Sequence, residues 1–224
     1  FLVVVCVIGQ IGIAFIFTLM INSRWVVLKG LHRTMSYFPS VLSAVVIGYI
    51  WSMIYDYRYG LLNNILEALG QEKYAQAWLN NTDLVMGLVA IPLIWQFIGY
   101  YMLILLSAYA AMDTSVLEMA EIDGANAFQK AIYITLPLMK NTILVCLTLC
   151  IAGNMKAFDH IYTMTNGGPG SASDVMALYA YKTSFVKYKM GYGSALSIVI
   201  LILSLIIIGG SRALITKLTR EKGD

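Results

Sequence analysis

The stretch LVMGLVAIPLIWQFIGYYMLILLSAYA, residues 84–110, decides the fold class of this chain. It carries no charged side chain over more than the roughly 20 residues that a helix needs to cross a bilayer. Backbone groups in lipid must be hydrogen-bonded within the structure, and the run is too long for a barrel strand of alternating polarity. The stretch therefore predicts a membrane-spanning helix, with a kink at Pro92.

Four further apolar segments lie on either side, at residues 1–21, 39–55, 141–161 and 194–211. Composition agrees, because 59% of the residues are hydrophobic and 12% are charged, against about 25% charged in soluble proteins. We expect an all-α membrane protein, a polytopic transmembrane helical bundle with five spans, in one domain over residues 1–224. The chain begins at Phe1 inside an apolar run, without the basic region of a signal peptide, so we expect a missing N-terminus.

The distribution of Lys and Arg predicts the orientation of the spans. Residues 22–34, 111–140 and the tail after residue 211 are assigned to the cytoplasm, and the other connections to the outside. The cytoplasmic side then holds nine basic residues against five outside. The nine are Arg24, Lys29, Arg33, Lys130, Lys140, Arg212, Lys217, Arg220 and Lys222, and the five are Arg58, Lys73, Lys182, Lys187 and Lys189.

The hydrophilic segment 111–140 has helix signals of its own. Ser115 and Glu118 have the spacing of a capping box, which predicts the start of a short helix. Gly124 allows the chain to turn, and residues 125–135 predict a second short helix that Leu136-Pro137 ends. These signals predict two short helices at the membrane surface. One interpretation is an amphipathic surface helix with no protein partner.

The same segment resembles a known motif. EMAEIDGA at residues 118–125, followed by ITLP at 134–137, looks like the EAA motif of ABC importer permeases. In that family the loop forms a coupling helix that seats on a separate ATP-hydrolysing subunit, so residues 111–140 are expected to be a cytoplasmic coupling loop. Met119 departs from the family's usual Ala. The residues that match are Glu118, Ala120, Asp123, Gly124, Ala125, Ile134, Leu136 and Pro137.

The resemblance extends to other blocks. VVIGYIW (45–51), GLLN (60–63) and GYGSA (191–195) are similar to conserved blocks of these permeases, and FDHIYTMTNGGPG (158–170) to the maltose and glycerol-3-phosphate branch. The resemblance implies a type I ABC importer transmembrane domain with six spans in the intact protein. It also implies a second homologous permease, two ATPase subunits that bind ATP and Mg, an extracytoplasmic solute-binding protein, and the bacterial inner membrane as location.

Several kinds of chemistry have no support in the sequence. No phosphate-binding Gly-x-x-x-x-Gly-Lys-Ser/Thr loop occurs, so ATP is expected to bind to a partner subunit and this chain is expected to hold no cofactor or metal. Neither His32 nor His160 has a nucleophile beside it in sequence. The net charge of +3 gives no case for nucleic acid. Cys6, Cys146 and Cys150 lie in apolar runs and are interpreted as buried thiols.

Polar residues within the predicted spans define a candidate solute path. Its residues, which by resemblance and helical spacing combine hydrogen-bonding groups with aromatic surface, are Gln96, Phe97, Tyr100, Gly153, Asn154, Ala157 and Phe158. Amides next to aromatic rings suit a neutral sugar or oligosaccharide. The alternative for Gln96 and Asn154 is packing of helix against helix. Three other functions remain open: a permease for glycerol-3-phosphate or another polyol or anionic sugar, an ion-coupled transporter, and a scaffold bundle.

Overall fold

The computed structural model describes residues 1–23 and 26–220, and these residues form helices and turns without a strand. The predicted all-α class is confirmed. Arg24 and Lys222 of the charge count lie outside the described residues. The helices are α1 (Leu2–Asn22), α2 (Lys29–Val41), α3 (Ala44–Ile54), α4 (Leu61–Ala68), α5 (Val85–Ala110), α6 (Thr114–Ile122), α7 (Ala127–Lys130), α8 (Leu136–Leu138), α9 (Lys140–Met155), α10 (Asp159–Met164), α11 (Met176–Tyr181) and α12 (Met190–Arg220).

Four helical stretches among the described residues are long and apolar enough to cross a membrane: Leu2–Asn22, Val85–Ala110, Lys140–Met164 and Met190–Ile215. They correspond to the first, third, fourth and fifth predicted spans. The fourth is not one regular helix, because α9 ends at Met155 and α10 begins at Asp159. The last helix, α12, extends well past the predicted end at residue 211.

The second predicted span, residues 39–55, is wrong as a single helix that starts at proline. Its residues belong to α2 and α3, which meet at an angle of 95°, and Pro39 lies buried near the end of α2. The bent pair of α2 and α3 provides a fifth span only if the two helices are counted together as one span. The position of α2 depends on α5, because a Cβ on Gly99 would overlap the carbonyl oxygen of Ser36. The hydropathy of the sequence does not reveal a contact of this kind.

Pro92 lies inside α5, yet the helix continues through it. Proline has no N–H, so the carbonyl of Leu88 loses its helical donor. The hydroxyl of Tyr55, at the end of α3, donates to that oxygen at 3.3 Å. A neighbouring element therefore satisfies the carbonyl, as an apolar environment requires.

The core is built around α5, which packs against α1, α2 and α9. One buried cluster contains Met102, Leu105 and Met139, and a second contains Val85 and Leu178. Phe97 contacts both clusters and so lies between the two halves of the core. The predicted burial of the three cysteines is confirmed.

Candidate functional site

The hydrophilic segment between α5 and α9 begins with a capped helix. The carboxylate of Asp113 accepts a hydrogen bond from the N–H of Ser115 at 2.9 Å, at the start of α6. The predicted capping box of Ser115 and Glu118 is therefore wrong, because the helix starts earlier and Asp113 is its cap. The N–H and the hydroxyl of Ser115 lower the pKa of the Asp113 carboxyl. The cap is thus present above the usual pKa of an aspartate and is lost as the pH falls through the lowered pKa.

The end of α6 is a Schellman motif. The N–H of Gly124 donates to the carbonyl of Glu121 at 3.1 Å, and the N–H of Ala125 donates to that of Ala120 at 2.9 Å. Gly124 has φ +78°, the left-handed conformation that glycine adopts without strain. The predicted turn at Gly124 is confirmed.

The next helix has a reciprocal cap that the sequence interpretation missed. The side chain of Asn126 accepts from the N–H of Gln129, and the Gln129 side chain accepts from the N–H of Asn126, each at 2.8 Å. The Asn-x-x-Gln spacing of Asn126 and Gln129 is the sequence signal that predicts such a cap. Lys130 then reaches back to Glu121 at 2.5 Å and ties α7 to α6. The two short helices thus form one rigid corner.

The chain continues from this corner toward the membrane through short helical segments, with a single turn residue, Met139, before α9. Residues 131–135 form a π-helical segment between α7 and α8, and Leu136 has helical angles of φ −61° and ψ −46°. The expectation that Leu136-Pro137 ends the helix is wrong in position, because α8 continues through Pro137 and ends one residue later, at Leu138. A π turn is wider than an α turn, so it leaves room for the proline ring. The N–H of Ile143 donates to the carbonyl of Met139 at 2.9 Å, which joins α8 to α9.

The outward face of the corner is apolar. We call Met119, Ile122, Phe128 and Tyr133 the corner surface, and their exposed fractions are 56%, 85%, 73% and 75%. Among the motif residues, Ala120 is buried. Glu118, Asp123, Gly124, Leu136 and Pro137 are exposed, and Ala125 and Ile134 are half-buried. Rigid, exposed apolar surface of this kind is typical of a protein-binding site.

A second feature is a cavity of about 170 Å³ at the point where α9 breaks. It contains five of the residues predicted for the solute path: Phe97, Gly153, Asn154, Ala157 and Phe158. The sequence interpretation did not include the five polar residues Gln10, Tyr101, Lys156, Asp159 and His160, which also line it. A Cβ on Gly153 would meet nothing within 4 Å, so this glycine is not required for close packing of the described residues.

Two buried side-chain amides, those of Gln10 and Asn154, link helices beside the cavity. Asn154 donates to the side-chain oxygen of Gln10 at 3.2 Å, and Gln10 donates to the carbonyl of Leu93 at 3.0 Å. The thiol of Cys150 donates to the same Gln10 oxygen at 3.1 Å. Asn154 therefore borders the cavity and also holds α9 against α1.

Gln96 and Tyr100 do not line this cavity. Gln96 is buried and donates to the carbonyl of Leu42, at the bend between α2 and α3, at 3.0 Å. Tyr100 packs edge-on against Tyr101, with ring centroids 5.1 Å apart. Of the polar residues predicted for the path on α5, Gln96 thus contacts the α2–α3 bend and Tyr100 contacts a ring of its own helix.

Phe158 separates the cavity from a second one of about 410 Å³, whose lining also includes Lys156, Tyr181 and Phe185. Its ring stacks on Tyr162 at a centroid distance of 5.1 Å and an interplanar angle of 17°. Aromatic faces thus continue from the cavity toward α11. Among residues 1–23 and 26–220, no group of three His, Cys, Asp or Glu side chains is placed to hold a metal ion.

The long apolar helices define a multi-pass membrane protein, and the capped corner and the interhelical cavity are its candidate sites. Residues 10–220 match the family described as binding-protein-dependent transport system inner membrane component. The chain belongs to this family.

Relatives whose names state a function include carbohydrate transport proteins. The chain is 35% identical over 173 residues to the probable ABC transporter permease protein YurN of Bacillus subtilis, covering 77% of this chain and 59% of YurN. It is 33% identical over 189 residues to the trehalose/maltose transport system permease protein MalF of Thermococcus litoralis, covering 84% and 63%. With the arabinooligosaccharides permease protein AraP of B. subtilis the identity is 30% over 199 residues, covering 88% and 63%. The chain spans about three fifths of the length of these curated relatives.

A solved structure shares the fold. It is a bacterial alginate ABC transporter in complex with alginate pentasaccharide-bound periplasmic protein, and one of its chains superposes with a TM-score of 0.84 at 22% identity. The match covers 97% of this chain and 76% of that chain. The expected ABC permease fold is confirmed.

Proposed function

We propose that this chain is the membrane subunit of an ATP-driven importer in the bacterial inner membrane and that its solute is a neutral sugar or oligosaccharide. The segment 111–140 would seat on a separate ATPase subunit that binds ATP and Mg. A second homologous permease, a second ATPase copy and an extracytoplasmic binding protein would complete the complex. The periplasmic protein in the alginate importer and the family's description support the last of these.

The observation that carries the proposal is the short, hydrogen-bonded connection from the corner to the cavity. The corner is stiffened by the Schellman motif, the reciprocal cap and the Glu121–Lys130 ion pair. Helical structure then continues through residues 131–138, and after the turn residue Met139 the chain enters α9, whose last turn contains Asn154 at the cavity. A displacement of the corner surface would be transmitted to the cavity through α8 and α9, which the hydrogen bonds of Met139 join.

The lining of the cavity supports the class of solute. Asn154 and Tyr101 offer hydrogen-bonding groups, while Phe97 and Phe158 offer aromatic faces. A sugar presents hydroxyls and C–H faces that fit such a lining. The relatives named for maltose, trehalose and arabinooligosaccharides point to the same class.

The proposal is tested by cross-linking in the assembled complex. The variant Phe128→Cys places a thiol on the corner surface, where Phe128 is 73% exposed. The native cysteines are buried, so the wild-type chain is a clean background. We expect Phe128→Cys to cross-link to the ATPase subunit, and ATP to change the yield.

The matched control is Tyr188→Cys, which is equally exposed at 82% but lies between α11 and α12, on the predicted outer side. It should not cross-link to the ATPase. Equal yields from both positions would contradict the proposal. Uptake by this chain alone in liposomes, driven by an ion gradient without ATP, would favour the ion-coupled alternative.

A further inference from the structure

His160 is the second residue of α10, directly after the break that follows α9. Its side chain is buried, with 3% exposed, and it lines the 170 Å³ cavity together with Phe97 and Asn154. Its ring atom Nε2 is fully enclosed and has no hydrogen-bond partner among the described residues. Neither the coupling segment nor the predicted solute path uses this residue.

A buried polar atom without a partner is unfavourable and uncommon in folded proteins. α10 also packs on α3, where a Cβ on Gly48 would overlap the hydroxyl of Thr163, one turn after His160. His160 lines the cavity, which offers space for a partner of the imidazole. Because Nε2 is enclosed, a hydrogen bond to a molecule in the cavity requires the ring to rotate about its side-chain torsions toward that space.

We propose that His160 is a specificity-determining residue of the solute path, and that its Nε2 forms a hydrogen bond with a hydroxyl group of the solute. This inference rests on the proposed import of a sugar. A neutral imidazole nitrogen donates or accepts a single directional bond. Asn154 supplies a second polar group at the same cavity, and Phe97 supplies an apolar wall. His160 would thus select among sugars by the position of one hydroxyl.

The test uses the complete importer in proteoliposomes, with radiolabelled maltose, trehalose and arabinotriose as probes. The wild-type complex first shows which probe is imported. KM and kcat for that probe are then measured for His160→Leu and His160→Gln. Loss of one neutral hydrogen bond is expected to raise KM about fivefold in His160→Leu with kcat little changed, and His160→Gln should recover part of the loss. The matched control is His32→Leu, since His32 is an exposed histidine of α2.

Monodeoxy analogues of the imported sugar separate a contact from a packing effect. One analogue should be penalised in the wild type and not in His160→Leu, because the two changes remove the same bond. If every analogue is penalised equally in both proteins, His160 is a packing residue and the inference is wrong. If the wild type imports no sugar, the proposed function itself fails, and the wild-type measurement alone reveals this.

A second variant covers the case in which His160→Leu does not assemble. His160→Cys places a thiol at the same cavity, whereas none of the native cysteines lines it. The imported sugar should slow the reaction of this thiol with a small methanethiosulfonate reagent. An unchanged rate in the presence of the sugar would overturn the inference.

Discussion

Single polar side chains in this apolar protein satisfy backbone groups that irregular structure leaves free. Tyr55 donates to the carbonyl that Pro92 exposes in α5, and Gln96 donates to the carbonyl of Leu42 at the bend before α3. In lipid, such groups have no water to pair with. The sequence left two roles open for Gln96, in the solute path or in packing helix against helix. Its hydrogen bond to the carbonyl of Leu42 is a contact between helical elements. Its partner was not predictable, since it lies 54 residues away.

Outside the membrane-spanning helices, Asn63 is a polar side chain that satisfies backbone groups in the same way. Its buried amide donates to the carbonyls of Tyr57 and Gln76 at 3.0 and 3.1 Å, and its oxygen accepts from Trp78 Nε1 at 2.7 Å. We expect Asn63→Ala to loosen residues 57–80 and to reduce the stability of this loop by roughly 1–3 kcal/mol for each group left buried without a partner. Limited proteolysis of the purified protein measures this.

The neighbouring residue Asn64 is the control for Asn63. It is exposed, and its amide is 3.5 Å from the carbonyl of Tyr59. Asn64→Ala should leave the cleavage rate unchanged. Equal sensitivity of the two variants would show that the buried hydrogen bonds of Asn63 do not hold the loop.

Helix ends decide how the elements are connected. The sequence predicts the turn at Gly124 correctly, because a left-handed helix end is a local property of the backbone. The predicted stop at Leu136-Pro137 was wrong because the π segment before it accommodates the proline. This difference matters for function, since only one turn residue, Met139, separates α8 from α9.

Two glycines allow the role of the corner to be tested with equal backbone strain. Gly124 and Gly70 both end helices in Schellman motifs, with φ +78° and +71°, and a Cβ would meet nothing within 4 Å at either position. Alanine in this conformation is disfavoured by roughly 1–2 kcal/mol. We expect Gly124→Ala to reduce ATP-dependent uptake roughly 2- to 30-fold, the range for mutations that weaken coupling, with membrane insertion intact.

Gly70→Ala, at the end of α4, should leave uptake close to the wild-type rate. Both variants are compared at equal amounts of assembled complex. If Gly70→Ala is as impaired as Gly124→Ala, the loss reflects general strain and not the coupling of the corner to transport.

Across the whole molecule, the cavity lies where the two halves of the core meet. Phe97 contacts both halves, and the residues of the hydrogen bond between Asn154 and Gln10 line the same cavity. The 170 Å³ cavity is small, so its capacity is sensitive to one added side chain. Gly153 borders it and has open space at its Cβ.

Enlarging Gly153 therefore tests the path directly. We expect Gly153→Leu to lower sugar uptake about tenfold or more, because excluding even one carbon group from a fitted site is worth roughly 1–3 kcal/mol. The fold should be retained, since no described atom lies within 4 Å of the new Cβ. Uptake is measured in proteoliposomes, with assembly checked by size-exclusion chromatography.

Gly12→Leu is the matched control. Gly12 is an exposed glycine of α1, also without an atom within 4 Å of its Cβ, and it does not line the cavity. Its uptake should remain normal. Unimpaired uptake by Gly153→Leu would show that the solute passes elsewhere.

The amino-acid sequence alone determined the helical membrane class, the turn at Gly124, the burial of the cysteines and the resemblance to a family, because these follow from local composition, backbone preference and motif. Tertiary structure decided the bend between α2 and α3 and the residues that share the cavity. These features depend on contacts between residues far apart in the chain, such as Gly99 with Ser36 and Gln10 with Asn154. Hydropathy and helical period do not encode such contacts.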